Sequence, residues 1–279
     1  MGSIIKTFLP LASLLSIWVL WGCNGDHDKE IKVDPLQPPP SSKSNELAEP
    51  VNGVIIFIDK SASLKIKKDD EINRDSSRIV EKLESFLGKE GAQVTIYFIH
   101  KDLPGATPFH SKNLIIPSLE GLTALPKKQA EREYKKAIND IKSKIKEAII
   151  TPLNQSTSSE TDLWYTLKKA NDRFISLPSN GKKLLIYYSD MVESVASTNS
   201  CGKNYSKVKF KNVPDAVKYA KQDAPTLKKC YNLNNFSSPT EVFICFPTGS
   251  NEASNHPYMY DYWHALFNEF GNLTIGSSL

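Results

Sequence analysis

Asp59-Lys60-Ser61-Ala62-Ser63 follows directly on the apolar run Val54-Ile55-Ile56-Phe57-Ile58, so a carboxylate and two hydroxyls are presented where a buried strand must break into a loop. Two later segments repeat the arrangement. Thr161 stands just before a helix-like stretch from Asp162 to Phe174, and Asp190 ends the apolar run Lys183-Leu184-Leu185-Ile186-Tyr187-Tyr188-Ser189. The side chains of Asp59, Ser61, Ser63, Thr161 and Asp190 offer only oxygen. Mg²⁺ wants a small octahedral set of oxygens, keeps water readily and often takes only one or two protein carboxylates. The set therefore suits Mg²⁺ or Mn²⁺, with one coordination place left for a partner. Short hydroxyl side chains also cap helices and shape turns, so Ser61, Ser63 and Thr161 have a purely structural alternative.

Such a site needs a scaffold that brings strand ends together. Apolar runs alternate with helical patterns after residue 50: strands over 53–58, 92–100, 113–117, 183–189 and 241–246, and helices over 70–88, 127–149, 162–175, near 213–221, and 258–270. The alternation predicts a single α/β domain, a doubly wound and mostly parallel sheet flanked by helices. Ligands of such sheets bind beyond the carboxyl ends of the strands, where Asp59 and Asp190 both fall.

The order D-x-S-x-S after the first strand, a Thr before a later helix and an Asp ending the next apolar strand resembles the von Willebrand factor A-type (VWA) domain. In that family these five positions form a metal-ion-dependent adhesion site (MIDAS). The resemblance spans roughly residues 50–279. It implies that Ser61 and Ser63 ligate directly, that Thr161 and Asp190 do so directly or through water, and that Asp59 orients or ligates through water. A partner's Asp or Glu commonly completes the metal shell. Two positions depart from the pattern: Ser159-Glu160-Thr161 stands where Gly-Gly often precedes the Thr, and Ser189-Asp190-Met191 where Thr-Asp-Gly is common. Glycine permits positive φ, so its absence bears on loop geometry and metal affinity.

The amino-terminal end places this domain outside the cytoplasm. Met1 to Gly22 carries a single charge, Lys6, ahead of an almost continuous apolar stretch from Phe8 to Trp21, as in a secretory signal peptide. Leu20-Trp21-Gly22-Cys23 resembles a bacterial lipobox, in which residues 1–22 are removed and Cys23 receives lipid, although Trp21 is bulky for that motif. A retained anchor is the alternative, and a stretch this short spans a hydrocarbon core only marginally. Either reading gives an exported, membrane-tethered lipoprotein or anchored protein of the cell envelope, on the periplasmic face or the cell surface. Residues 23–50, with Pro35, Pro38, Pro39, Pro40 and Pro50, cannot bury a core and read as a disordered linker. Its reach is roughly 30 Å as a coil and about 80 Å when extended. Residues 51–279 form the folded domain.

With Cys23 lipidated, three cysteines remain, and an exported compartment permits one disulfide. Cys245 sits inside Val242-Phe243-Ile244-Cys245-Phe246 and reads as a small buried hydrophobe, which leaves Cys201 with Cys230 as the expected pair. The Lys-rich region between them reads as loops and a short helix. Between Ala130 and Ile149, apolar residues recur at spacings of three and four, while Lys127, Lys128, Arg132, Lys135, Lys136, Lys142, Lys144 and Lys146 populate the other face. That face is either simply solvated or meets anionic lipid headgroups or an acidic partner. Tyr258, Tyr260, Tyr262, Trp263 and Phe267 read as a terminal helix packed on the sheet, with a carbohydrate or peptide surface as the alternative. Trp164 and Tyr165, beside Thr161, are placed to touch a partner, one of them packing inward.

A formal net charge of +4 is too weak a bias for nucleic acid, and no nucleic-acid motif is present. The histidines show no zinc spacing. No Gly-rich phosphate loop, second carboxylate cluster or readable Ser-His-Asp arrangement supports a hydrolase. The expected function is a non-catalytic, membrane-tethered protein-binding module that uses Mg²⁺ or Mn²⁺ to capture an Asp or Glu of a protein partner. The alternatives are a metal-free interaction scaffold and, more remotely, a metal-dependent hydrolase.

Overall fold

A computed structural model describes residues 52–60, 68–87, 91–100, 103–115, 119, 121–151, 160–195, 203–205, 208–248 and 256–276. Residues 48–279 belong to one compact unit. The leader, Cys23 and the linker lie outside the described residues. No helix among the described residues is long and apolar enough to cross a membrane.

The elements alternate as β1 (Asn52–Asp59), α1 (Asp69–Leu87), β2 (Ala92–Ile99), β3 (His110–Leu114), α2 (Ala124–Ile150), α3 (Leu163–Ile175), β4 (Lys183–Tyr188), α4 (Val213–Cys230), β5 (Phe236–Cys245), α5 (Met259–Asn268) and β6 (Gly271–Ile275). The six strands form one sheet in the order β3-β2-β1-β4-β5-β6. All neighbouring pairs are parallel except β2 with β3, which is antiparallel and forms one edge. From β1 the chain winds outward through β2 to β3, then returns and winds the other way from β4 to β6. The direction of winding thus reverses between β1 and β4, the switch point of a doubly wound sheet.

Every residue of β1 is buried, as the central strand of a two-sided sheet requires. Its side chains alternate between two cores. Ile55 and Phe57, with Leu185 and Tyr187 of β4, face α3, α4 and α5. Val54, Ile56 and Ile58, with Leu184 and Ile186, face α1 and α2. Local chemistry fixes the helix starts: Asp69, Asp70 and Glu71 occupy the first turn of α1, and the Asn212 side chain caps α4 by accepting from the Asp215 amide at 2.9 Å.

Besides shifts of one to three residues at several element ends, four features differ from the sequence reading. The short edge strand occupies His110–Leu114 rather than 113–117. The region before Cys230 is an 18-residue helix, continuing through Pro225, rather than loops and a short helix. β5 begins at Phe236, and Pro239 sits where its register with β6 shifts, a place that tolerates a residue without an amide donor. The final strand β6 was not anticipated; it is five residues long and only Leu273 in it is buried.

Candidate metal and ligand site at the switch point of the sheet

Asp59 is the last residue of β1, and Asp190 lies two residues past the end of β4, so both carboxylates reach the crevice where the winding reverses. Thr161 reaches the same place from the turn before α3. Its hydroxyl lies 3.4 Å from Asp59 Oδ1, across 102 residues of sequence. The three side chains are buried, at 2%, 1% and 2% exposure for Asp59, Thr161 and Asp190. Burying two carboxylates this deeply is costly unless hydrogen bonds or a cation compensate them. Ser61, Ser63 and Cys23 lie outside the described residues.

Ser189 supplies part of that compensation, its hydroxyl donating to Asp59 Oδ2 at 2.6 Å. The Ser189 hydroxyl oxygen in turn accepts from the Met191 amide at 2.9 Å, and Asp190 Oδ1 accepts from the Val192 amide at 3.0 Å. Met191 adopts a φ of 63°, in the left-handed region. This is the position where the sequence lacks the glycine of the family pattern. The backbone takes a glycine-like conformation without glycine, at a cost of about 1–2 kcal/mol. Compensation comes from the Met191 side chain, which is fully buried, and from its carbonyl, which accepts the Trp263 indole N–H at 2.7 Å.

The Thr161 turn is strapped to the segment after Asp190. The Thr161 amide donates to Ser194 Oγ at 2.8 Å, and the Ser194 amide donates back to the Thr161 carbonyl at 3.1 Å. Glu193 holds the start of α3, accepting from the Trp164 amide at 2.9 Å, and also accepts from the Val195 amide at 3.1 Å. Asp162 caps the same helix by accepting from the Tyr165 amide at 2.9 Å. Burial pushes the Glu193 carboxyl well above the usual range, with the neighbouring Asp162 charge adding to the effect and backbone amides opposing it. Burial likewise raises Asp162 to about 6. Sequence reasoning did not single out Ser189, Glu193 or Ser194 as part of the site. The one available signal was Glu193 itself, a charge that follows the apolar pair Met191-Val192 three residues after Asp190.

Lys60, the residue after Asp59, sends its ammonium to the Ile149 carbonyl at 2.8 Å and over the Phe98 ring at 5.2 Å from its centroid. Burial lowers its pKa to about 8, although the Asp59 charge opposes that shift. Trp164 packs inward at 2% exposure, while Tyr165 is half-buried with its ring edge-on to Tyr231, centroids 5.4 Å apart. Cys230 is disulfide-bonded and Cys245 is a buried thiol outside any disulfide; Cys201 lies outside the described residues.

The donors fit a hard cation. Asp59, Thr161 and Asp190 offer oxygen alone, and the 3.4 Å between the Thr161 hydroxyl and Asp59 is near the edge of about 3 Å that two oxygens share around an octahedral Mg²⁺. Among the described residues no three His, Cys, Asp or Glu side chains gather in a way that could hold a metal. A site in which hydroxyls supplement two carboxylates would not gather three such side chains.

No family model matches this sequence. No curated protein matches it either. Among solved structures the chain is similar to proximal thread matrix protein 1 from the mussel byssus, at 12% identity and a TM-score of 0.39 over 82% of this chain and 44% of that one. It is similar to the pilus adhesin SpaC of Lactobacillus rhamnosus GG, at 11% identity and a TM-score of 0.35 over 81% of this chain and 28% of that one. A third similarity is to manganese-loaded TRAP protein of Plasmodium vivax, at 13% identity and a TM-score of 0.31 over 81% and 68% of the two chains. The chain thus spans less than half the length of the first two.

Proposed function

We propose that this chain is a VWA-like, non-catalytic binding module in which Mg²⁺ or Mn²⁺, held by Asp59, Ser61, Ser63, Thr161 and Asp190, captures an acidic side chain of a protein partner. The observation that carries this reading is the meeting of Thr161 with Asp59, beside Asp190, at the switch point of the sheet. When bound, the cation supplies Lewis-acid attraction for a carboxylate. The chain's own residues do the rest. Asp59 and Asp190 provide the only two negative charges of the ligand set, so they at most balance a bound divalent cation, and leave it net positive where one of them acts through water. The three hydroxyls are neutral, which preserves its pull on an incoming anion. Ser189, itself held by the Met191 amide, orients the Asp59 carboxylate, the Val192 amide orients that of Asp190, and the Glu193–Ser194 strap fixes the Thr161 turn. Tethering through a lipid at Cys23 would present the module from the membrane of an exporting cell, with a disulfide between Cys201 and Cys230 beside the site.

One observation favours a second reading, a metal-free interaction scaffold: the Ser189 hydroxyl already donates to Asp59 at 2.6 Å, and the Thr161 hydroxyl lies toward its other oxygen. Manganese resonance separates the two. On the first reading, the protein quenches the spectrum of free Mn²⁺ at one equivalent, a short glutamate-rich peptide tightens that binding, and Asp190→Ala abolishes both. Unchanged free Mn²⁺ with folded protein and peptide present selects the scaffold.

A further inference from the structure

Helix α2 is 27 residues long, but its buried residues Ile138, Ile141, Ile145 and Ala148 all belong to the carboxyl-terminal half. Its carboxyl-terminal end lies at the site end of the sheet, where Lys60 Nζ reaches the Ile149 carbonyl. At 1.5 Å per residue the helix is about 40 Å long. An eight-residue strand such as β1 covers only about 26 Å. The amino-terminal turns of α2 therefore run past the sheet at the end opposite the site.

On those turns Arg132 follows Lys128 by four residues, and Lys135 and Lys136 follow Arg132 by three and four, which places all four on one exposed face. Leu125, three residues before Lys128, shares that face and is 78% exposed; Leu122, just before the helix, is 40% exposed. None of the four cations makes an ion pair among the described residues. Two of the helix's acids are paired with other lysines, Asp140 with Lys112 at 3.1 Å and Glu147 with Lys144 at 2.7 Å, while Glu133 accepts from the neutral Gln129 at 3.2 Å. Glu131 and Glu133 keep their charges beside the cations, because Gln129 is a neutral partner, but at helical spacing both fall on the flanks of the face rather than in it. Asn52, where the chain enters β1, sits at this same end of the sheet, so the preceding segment joins the domain there.

We infer that the amino-terminal turns of α2 dock on an anionic lipid bilayer, with Leu122 and Leu125 entering the interface and Lys128, Arg132, Lys135 and Lys136 meeting headgroup phosphates. Two exposed leucines at the tip of a cationic helix are the pattern of an interfacial contact, in which apolar burial and attraction to acidic lipid act together. Lysine and arginine stems can lie along the apolar boundary while their charges reach the phosphates. The direction of α2 gives the contact a consequence, since a domain held at this end points its switch-point crevice away from the bilayer. The inference does not depend on the metal.

Amide hydrogen exchange of the full chain tests it, on vesicles of phosphatidylcholine alone and on vesicles that also contain phosphatidylglycerol. Any amino-terminal lipid or apolar segment inserts into both, so the difference between them reads α2. Residues 122–136 are expected to exchange at least about tenfold more slowly on the anionic vesicles, with the slowing lost at high salt and in the variant combining Lys128→Glu, Arg132→Glu, Lys135→Glu and Lys136→Glu. Asp190→Ala leaves the slowing intact, which separates this surface from the crevice. Equal exchange on the two vesicle types overturns the inference. Slowing by soluble polyglutamate but not by anionic vesicles overturns it too, and assigns the face to an acidic protein.

Discussion

The two faces of the sheet solve the same packing problem with different side chains. The face under α3, α4 and α5 is rich in aromatic residues: Phe57 stacks between Tyr97 and Tyr187 with centroids 5.8 and 5.4 Å away, and Tyr205, Phe210, Tyr262, Trp263 and Phe267 continue the layer. Most of its polar tips are bonded internally, the buried Trp164 indole N–H being an exception among the described residues. Asp223 accepts from Tyr262 at 3.0 Å and from Lys203 at 2.9 Å, and also takes the Tyr205 hydroxyl, while Trp263 reaches the Met191 carbonyl. The face under α1 and α2 is mainly aliphatic, built from Val54, Ile56, Ile58, Ile79, Leu83, Val94, Ile96 and Ile141. Aromatic rings with polar tips fix direction as well as burying area, whereas aliphatic groups mostly bury area. The face that buttresses the segment 189–195 is the one specified by direction.

Breaking that network gives the largest effect expected. Asp223→Ala leaves the Tyr205 and Tyr262 hydroxyls without their shared acceptor and is expected to cost about 3–5 kcal/mol in urea denaturation. A loss below about 1 kcal/mol would show that the bonds contribute little beyond area. On the aliphatic face, Ile141→Ala should cost about 3 kcal/mol through a cavity, yet Ile141→Leu less than about 1.5 kcal/mol because shape matters less there.

Asp162→Asn sharpens the contrast with opposite sign. The amide oxygen still caps α3, while a buried charge beside Glu193 is removed. The folded-state pKa of Asp162 is raised, from 3.8 to about 6, so the stability it contributes is fully present at low pH and is lost as pH rises through that window. The variant, freed of metal by chelator, is expected to gain about 1–2 kcal/mol at neutral pH and to show a flatter stability profile between those values. Unchanged pH dependence in thermal melts would contradict the assigned burial. The smallest change expected is Met191→Gly, which relieves about 1 kcal/mol of left-handed strain but removes a buried side chain worth about 2 kcal/mol. A net loss near 1 kcal/mol follows, and a net gain would show that the side chain is poorly packed.

The strand ends were legible in the sequence because a fully buried strand reads as an unbroken apolar run, and Asp59 and Asp190 interrupt or follow such runs. The long helices were legible through their periodicity. β6 was not, because an edge strand that buries only Leu273 has little apolar pattern to show. The full length of α4 was masked by Pro225, which ordinarily ends a helix. Within the site, the Thr161 turn was readable from its hydroxyl, whereas its attachment to Glu193 and Ser194 depends on long-range contacts that no local spacing encodes. The departure at Met191 shows a further limit: the residue type argued against positive φ, but Trp263 and the core hold the backbone there.

The central claim is that the crevice between β1 and β4 binds one divalent cation. Calorimetric titration of Mg²⁺ and Mn²⁺ into chelator-treated protein, beside an Asp59→Ala, Asp190→Ala double variant, tests it most directly. The account predicts saturable binding at a single site in the parent and none in the folded variant. A folded parent that takes up neither metal, even with an acidic peptide present to complete the shell, would contradict it and leave the metal-free scaffold in its place.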